Sequence, residues 1–157
     1  MKANIGVKPE HLVEIAKSLN RLLADEHVLY IKTRNAHWNV EGPDFYTKHK
    51  FFEDHYRELQ NIIDDVAERV RLLGHYAVAS MKDYLQLTHL TEESREKNDS
   101  EGFTRELLQD HETIIKHLRE NINRYADEWF DQGTSDFITG LMEKHEEMAW
   151  MLRAHLM

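Results

Sequence analysis

His37, His49, Glu53, Asp64 and Glu68 are the residues of this chain whose types and spacing could do chemistry. His49 to Glu53 and Asp64 to Glu68 are steps of four. Glu53 to Asp64 is a step of eleven, close to three whole turns at about 3.6 residues per turn. These four therefore share one stripe of a single predicted helix, and His37 precedes it. A row of imidazoles and carboxylates is costly unless a cation meets it, and iron, zinc or manganese would suit the mixture. A plainer reading stands beside this one. Asp64 and Glu68 lie next to Arg69 and Arg71, and the stripe could be a surface row of ion pairs.

Two observations restrict the metal reading. None of the 11 histidines follows a glutamate by three residues, so the Glu-x-x-His pairs that build a two-metal centre inside a helical bundle are missing. His49 and Asp64 are also about 22 Å apart along a helix axis, at 1.5 Å per residue. One copy of the chain cannot bring both to one ion. If all five residues serve one site, two copies of the helix must run antiparallel across a two-fold axis. His37 and His49 of one copy would then face Glu53, Asp64 and Glu68 of the other, giving two equivalent sites per pair.

The elements that must position these residues read as helices. Pro9 suits a first helical turn, and Leu12, Ile15, Leu19, Leu22, Leu23 and Leu29 recur at helical spacing over about 9–36. Gly42-Pro43 breaks that helix and opens a second, with Phe52, Leu59, Ile62, Ile63, Val66, Val70 and Leu73 on its apolar stripe and Gly74 as its stop. A short helix is expected around 80–88, then a polar linker. A third long helix is expected at about 101–127 and a fourth at about 135–155, with Gly133-Thr134-Ser135 as turn and cap. Two long hairpins joined by a crossover predict an all-α four-helix bundle with a short extra helix in the crossover.

The 157 residues, 41% of them hydrophobic, suit one domain with its core at about 9–156. The absence of cysteine excludes disulfides, iron–sulfur clusters and thiolate zinc sites. No apolar run approaches the roughly 20 residues of a membrane span, and the start lacks a signal-peptide core. A cytoplasmic protein with no membrane partner is expected. The net charge of −9 argues against a broad nucleic-acid surface and favours cations.

Lys32-Thr33-Arg34-Asn35-Ala36-His37-Trp38-Asn39-Val40-x-Gly42-Pro43-x-Phe45-x-x-x-His49, followed by Asp64-x-x-Ala67-Glu68-Arg69-x-x-x-Leu73-Gly74, closely resembles the Dps proteins, or mini-ferritins. Asp136-Phe137 and Ala149-Trp150-Met151-Leu152-Arg153-Ala154 extend the resemblance over nearly the whole chain. It implies a ferritin-like fold, a dodecameric shell and an iron-storing ferroxidase active against oxidative stress. Fe(II) would be oxidised by hydrogen peroxide or dioxygen at two-fold interfaces. His37 and His49 would be the imidazole ligands of one subunit, and Asp64 and Glu68 the carboxylates of its partner, with Glu68 suited to bridging two ions. Glu53 stands where the family often has aspartate. Trp38 resembles the family's site-proximal tryptophan, and interface packing is its other reading. Zinc or manganese would compete with iron at the same site.

Asp127, Asp131 and Asp136 bracket the last turn and resemble the acidic lining of the family's three-fold pores. Asp131 could instead form the loop, and Asp136 could sit in a helix's first turn. The family's DNA binding commonly uses a lysine-rich tail. Before Pro9 there are only Lys2 and Lys8, and Leu156-Met157 bring no basic extension, so DNA binding should be weak or absent. The alternative function is a nucleoid-compacting particle with little ferroxidase activity. His55 lies off the stripe and reads as a surface residue. His75, His89, His111, His117, His145 and His155 have no assigned role.

Overall fold

In the computed structural model, which describes residues 3–92 and 95–157, four long helices pack as two hairpins. The elements are α1 (Pro9–Asn39), α2 (Phe45–Leu72), α3 (Met81–Leu87), α4 (Ser100–Asn123) with a π-helical turn Arg124–Glu128 at its end, and α5 (Gln132–Ala154). α1 lies against α2, α4 against α5, and α3 rests on α1. Among the described residues the only β pairing is an isolated bridge between Glu41 and Asp99. No described helix is long and apolar enough to cross a membrane.

Local chemistry sets each boundary. Pro9 occupies the first turn of α1, where its missing N–H costs nothing. α1 runs three residues past the expected stop at 36, and Val40 N–H still reaches Ala36 O at 3.0 Å. His37 therefore stands on a last turn rather than in a loop. Gly42 at φ 128° reverses the chain into α2. α2 ends where Gly74 takes φ 83°, with Gly74 N–H on Arg71 O at 2.9 Å and His75 N–H on Val70 O at 3.3 Å. That pair of bonds is a Schellman stop. The cap of α5 differs from expectation. Asp131, not the Thr134-Ser135 pair, accepts the N–H of Thr134 at 2.9 Å, and the helix starts three residues early.

Phe52, Phe103, Ile15, Leu19, Leu29, Leu59, Ile62, Ile114 and Ile138 are fully buried between the helices. At about 25 cal/mol per Å² of apolar surface removed from water, these side chains are the main source of stability. The crossover is tied to α1 by Asn20, which donates to Tyr76 O at 3.2 Å and accepts from Val78 N–H at 2.9 Å, and by Asp25 and Lys32. Asp25 accepts from Thr88 Oγ1 at 2.7 Å and from His89 N–H at 2.6 Å. Lys32 donates to Thr91 O at 2.9 Å and pairs with Asp110 of α4 at 2.6 Å.

His55 is a correction to the sequence reading: it is 3% exposed, not a surface residue. The stripe of α2 that carries His49, Glu53, Asp64 and Glu68 faces outward. Two residues beyond Glu53 is about 200° further round the helix, so His55 must turn inward. It lies in the apolar row Phe52, Leu59, Ile62 and Val66.

Candidate metal centre

His37 closes α1 and His49 sits in the second turn of α2, so the hairpin turn at Gly42 folds them onto each other. Their rings stack with centroids 3.9 Å apart and planes 21° apart. His37 Nδ1 donates to His49 O at 2.7 Å, and His49 Nδ1 donates to His37 O at 2.8 Å. Each backbone carbonyl thus fixes the other residue's tautomer. In the neutral ring Nδ1 is the protonated nitrogen, and Nε2 is the one free to take a ligand bond on both rings. Holding the far nitrogen on a carbonyl is the usual way to orient a metal-binding imidazole.

Aromatic side chains surround the pair. Tyr56 stands edge-on to His37 at 5.1 Å and Phe45 lies 5.3 Å from His49. The Arg34 guanidinium is held over Tyr56 and over Trp38, 4.6 Å from each ring. Trp38 itself is 60% exposed. Tyr56 and Arg34 escaped the sequence reading. Tyr56 was findable, because it lies seven residues beyond His49 on the same stripe.

Glu53 is one helical turn beyond His49 and pairs with Lys50 at 2.9 Å and with Arg57. The hydrogen bond from Lys50, with Arg57 and His37 of the same chain adding to it, holds its carboxyl below the ordinary range. Glu53 therefore stands with its own chain's histidines. The expectation that it reaches across from a partner is corrected here, because a four-residue step is only about 6 Å of helix.

Asp64 and Glu68 are exposed near the other end of α2. Neither pairs with any described basic side chain. Arg69 turns to Asp131 at 3.6 Å and to Thr134, and Arg71 to His75 O and the Tyr76 ring. The surface ion-pair row is thus not formed. Among the described residues, no three His, Asp or Glu side chains of one chain converge closely enough to hold an ion.

At the far end of the bundle, Asp127 and Asp136 are exposed. Asp131 is buried, with both carboxylate oxygens bonded to Thr134. Lys8 precedes α1, and Lys2 lies outside the described residues.

A ferritin-like domain model matches residues 16–157. The chain is 46% identical to a low temperature-induced protein of Nostoc sp., over 99% of this chain and 87% of that protein. It is 36% identical to DNA protection during starvation protein 2 of Bacillus anthracis, over 91% of this chain and 97% of the relative. The crystal structure of the Dps protein of Vibrio cholerae O1, described as one of the ferritin-like diiron-carboxylate proteins, matches with a TM-score of 0.93. Identity there is 31%, covering 99% of this chain and 97% of that one. The chain belongs to the ferritin-like family, and within it to the Dps mini-ferritins.

Proposed function

We propose that this protein is an iron-storing shell that oxidises Fe(II) at sites shared between subunits and so protects against oxidative stress. The observation that carries the reading is the reciprocal lock between His37 and His49, which leaves two bare nitrogens side by side. Near-parallel rings 3.9 Å apart cannot both aim at one ion. They suit one ion each, at the roughly 3.5–4 Å spacing of two-metal centres. Completing such a centre takes carboxylates, and Asp64 and Glu68 stand unpaired on the same helix, out of reach of their own histidines. An antiparallel partner across a two-fold axis would bring them over, with Glu68 bridging.

Fe(II) is the substrate. Two ions each give up one electron, and hydrogen peroxide takes both electrons and two protons. Its O–O bond breaks to give two waters, with no one-electron step to release hydroxyl radical. Carboxylate oxygens favour the product because Fe(III) is the harder cation. Dioxygen is the slower oxidant in this reading, and zinc or manganese competes at the same residues. Subunits close into a dodecamer, and Asp127 and Asp136 line its cation entry, where clustered carboxylates raise the local cation concentration. Asp131, occupied as a cap, is left out of that role. The net charge of −9 opposes broad contact with phosphate, so DNA binding is weak or absent at physiological salt.

Anaerobic Fe(II) titration of the assembled protein, followed by a peroxide pulse, tests the proposal. Oxidation should saturate near two irons per subunit and slow at least about tenfold in His37→Ala and Asp64→Ala, with assembly intact. A wild-type rate no faster than iron in buffer would defeat it.

A further inference from the structure

Tyr30, Arg34 and Trp38 are spaced by four on α1, so their side chains follow one another along a single face. Tyr56 comes up beside them from α2. The Arg34 guanidinium lies against two rings, 4.6 Å from the centroid of Trp38 and 4.6 Å from that of Tyr56. Tyr30 holds it there. Arg34 Nη1 donates to Tyr30 Oη at 2.8 Å, and the Tyr30 ring stands edge-on to Tyr56, centroids 6.1 Å apart. Tyr56 in turn meets His37, centroids 5.1 Å apart. The arginine is therefore one ring removed from the candidate centre.

What this arginine lacks is a carboxylate. Arg69, Arg95 and Arg153 each hold one. Among the described residues no Asp or Glu pairs with Arg34, and its Nε is buried without a hydrogen-bond partner. A charge set among rings with no counter-charge costs free energy that an apolar side chain of the same length would avoid. Packing alone does not call for it, so the charge must act on the rings.

A cation over an aromatic face is attracted by the electrons of that face. Taking one electron from the ring turns the attraction into repulsion between two positive charges. A ring beneath a guanidinium therefore gives up an electron less readily than a bare one. Guanidinium, flat and weakly hydrated, suits the place. Trp38 and Tyr56 are the oxidisable rings nearest the candidate centre. When a single Fe(II) meets peroxide, the O–O bond breaks to give Fe(III), hydroxide and hydroxyl radical. The radical becomes hydroxide by taking one electron from a nearby ring, which then loses its N–H or O–H proton to water.

We propose that Arg34 is a positioning residue that guards Trp38 and Tyr56 from one-electron oxidation, so that the oxidant draws its electrons from iron and not from the protein. The guard has its use only under the Fe(II)-oxidising function proposed above, but its effect on the rings needs no iron. The chain carries its own control. Trp38 and Trp150 are 60% and 62% exposed, and among the described residues no arginine or lysine lies over Trp150.

Azide radical, a neutral one-electron oxidant made by radiolysis, is the probe, applied at low dose and without iron to the assembled protein. Mass spectrometry reads oxidation of Trp38 against that of Trp150. Arg34→Met should raise this ratio at least about threefold, and Arg34→Lys, which keeps the charge, should raise it less. If Arg34→Met does not assemble alone, mixed assemblies with wild-type subunits decide, since the two Trp38 peptides differ in mass. Under Fe(II) and peroxide, Arg34→Met should also accumulate oxidised Trp38 and Tyr56 at least about threefold faster per iron oxidised. An unmoved ratio would overturn the proposal, and a loosened assembly beside it would assign Arg34 to a carboxylate of a second copy. A rise as large in Arg34→Lys as in Arg34→Met would make Arg34 a spacer. Equal ring damage in wild type and variant during iron oxidation would also overturn the guard. A wild type that oxidises iron no faster than buffer would sink the ferroxidase reading and leave the azide result to stand by itself.

Discussion

At the scale of single residues, backbone carbonyls aim the candidate centre. The carbonyls of His37 and His49 each accept the other ring's Nδ1–H, so the turn that joins α1 to α2 also sets the tautomers. Glu53 shows how much local pairing matters. Lys50 and Arg57 keep its carboxylate ionised and tethered beside His37. Glu53→Gln should leave the oligomer and its melting temperature nearly unchanged, because exposed ion pairs contribute little. The same variant should weaken Fe(II) binding, read by anaerobic titration. A lower melting temperature with normal iron binding would make Glu53 a helix-stabilising residue only.

At the scale of elements, the turn between α4 and α5 holds aspartates in unlike surroundings, Asp131 buried and Asp127 and Asp136 exposed. Asp131 caps α5 and is buried, and Asp131→Ala should cost about 1 kcal/mol or more of stability, read by chemical denaturation. Asp136→Asn should leave stability alone and slow iron uptake at low Fe(II). The π-helical turn beside them carries Tyr125, whose hydroxyl donates to Ser18 at 2.7 Å. Burial raises its pKa to about 12, with Asp131 adding to the rise and Ser18 and Arg124 opposing it. The unfolded chain loses this proton near 10 while the folded one keeps it. The phenol's contribution is therefore intact below pH 10 and lost as pH rises through 12. Tyr125→Phe should remove about 3 kcal/mol of that alkaline loss, measured as denaturation midpoints between pH 9 and 12. An unchanged alkaline profile would mean Tyr125 is wetter than its surroundings suggest.

At the scale of the whole molecule, the distance along α2 makes a strong demand. A site that needs both ends of one helix must be shared. Mixed shells test this directly. On the shared-site proposal, subunits lacking His37 and His49 should be inactive alone, as should subunits lacking Asp64 and Glu68. In a mixed pair, one of the two sites would recover all four residues and the other would lose all four. Co-refolding equal amounts should restore about a quarter of wild-type ferroxidase activity by random pairing across a two-fold axis. No recovery in properly assembled hybrids would place the whole site within one subunit.

Helical repeat alone determined much of this. Leu12, Ile15 and Leu19, or Phe52, Leu59 and Ile62, announce their helices because side-chain direction advances by a fixed angle per residue. The row His49, Glu53, Asp64 and Glu68 is legible for the same reason. So is its demand for a partner, since helix rise is fixed. What the repeat cannot say is which residues of other helices an inward side chain meets, because that depends on how helices pack. His55 was misread although Phe52, three residues before it, and Leu59, four after, put it on the apolar face of α2. Glu26, His111 and His145 came within hydrogen-bond reach only when three helices distant in sequence converged. Asp131 became a cap because α5 began three residues early, under a hydrogen bond that only the folded turn supplies. Spacing along one helix is a local property, and the sequence carries it. Contact between helices is settled by packing, which only the tertiary structure decides.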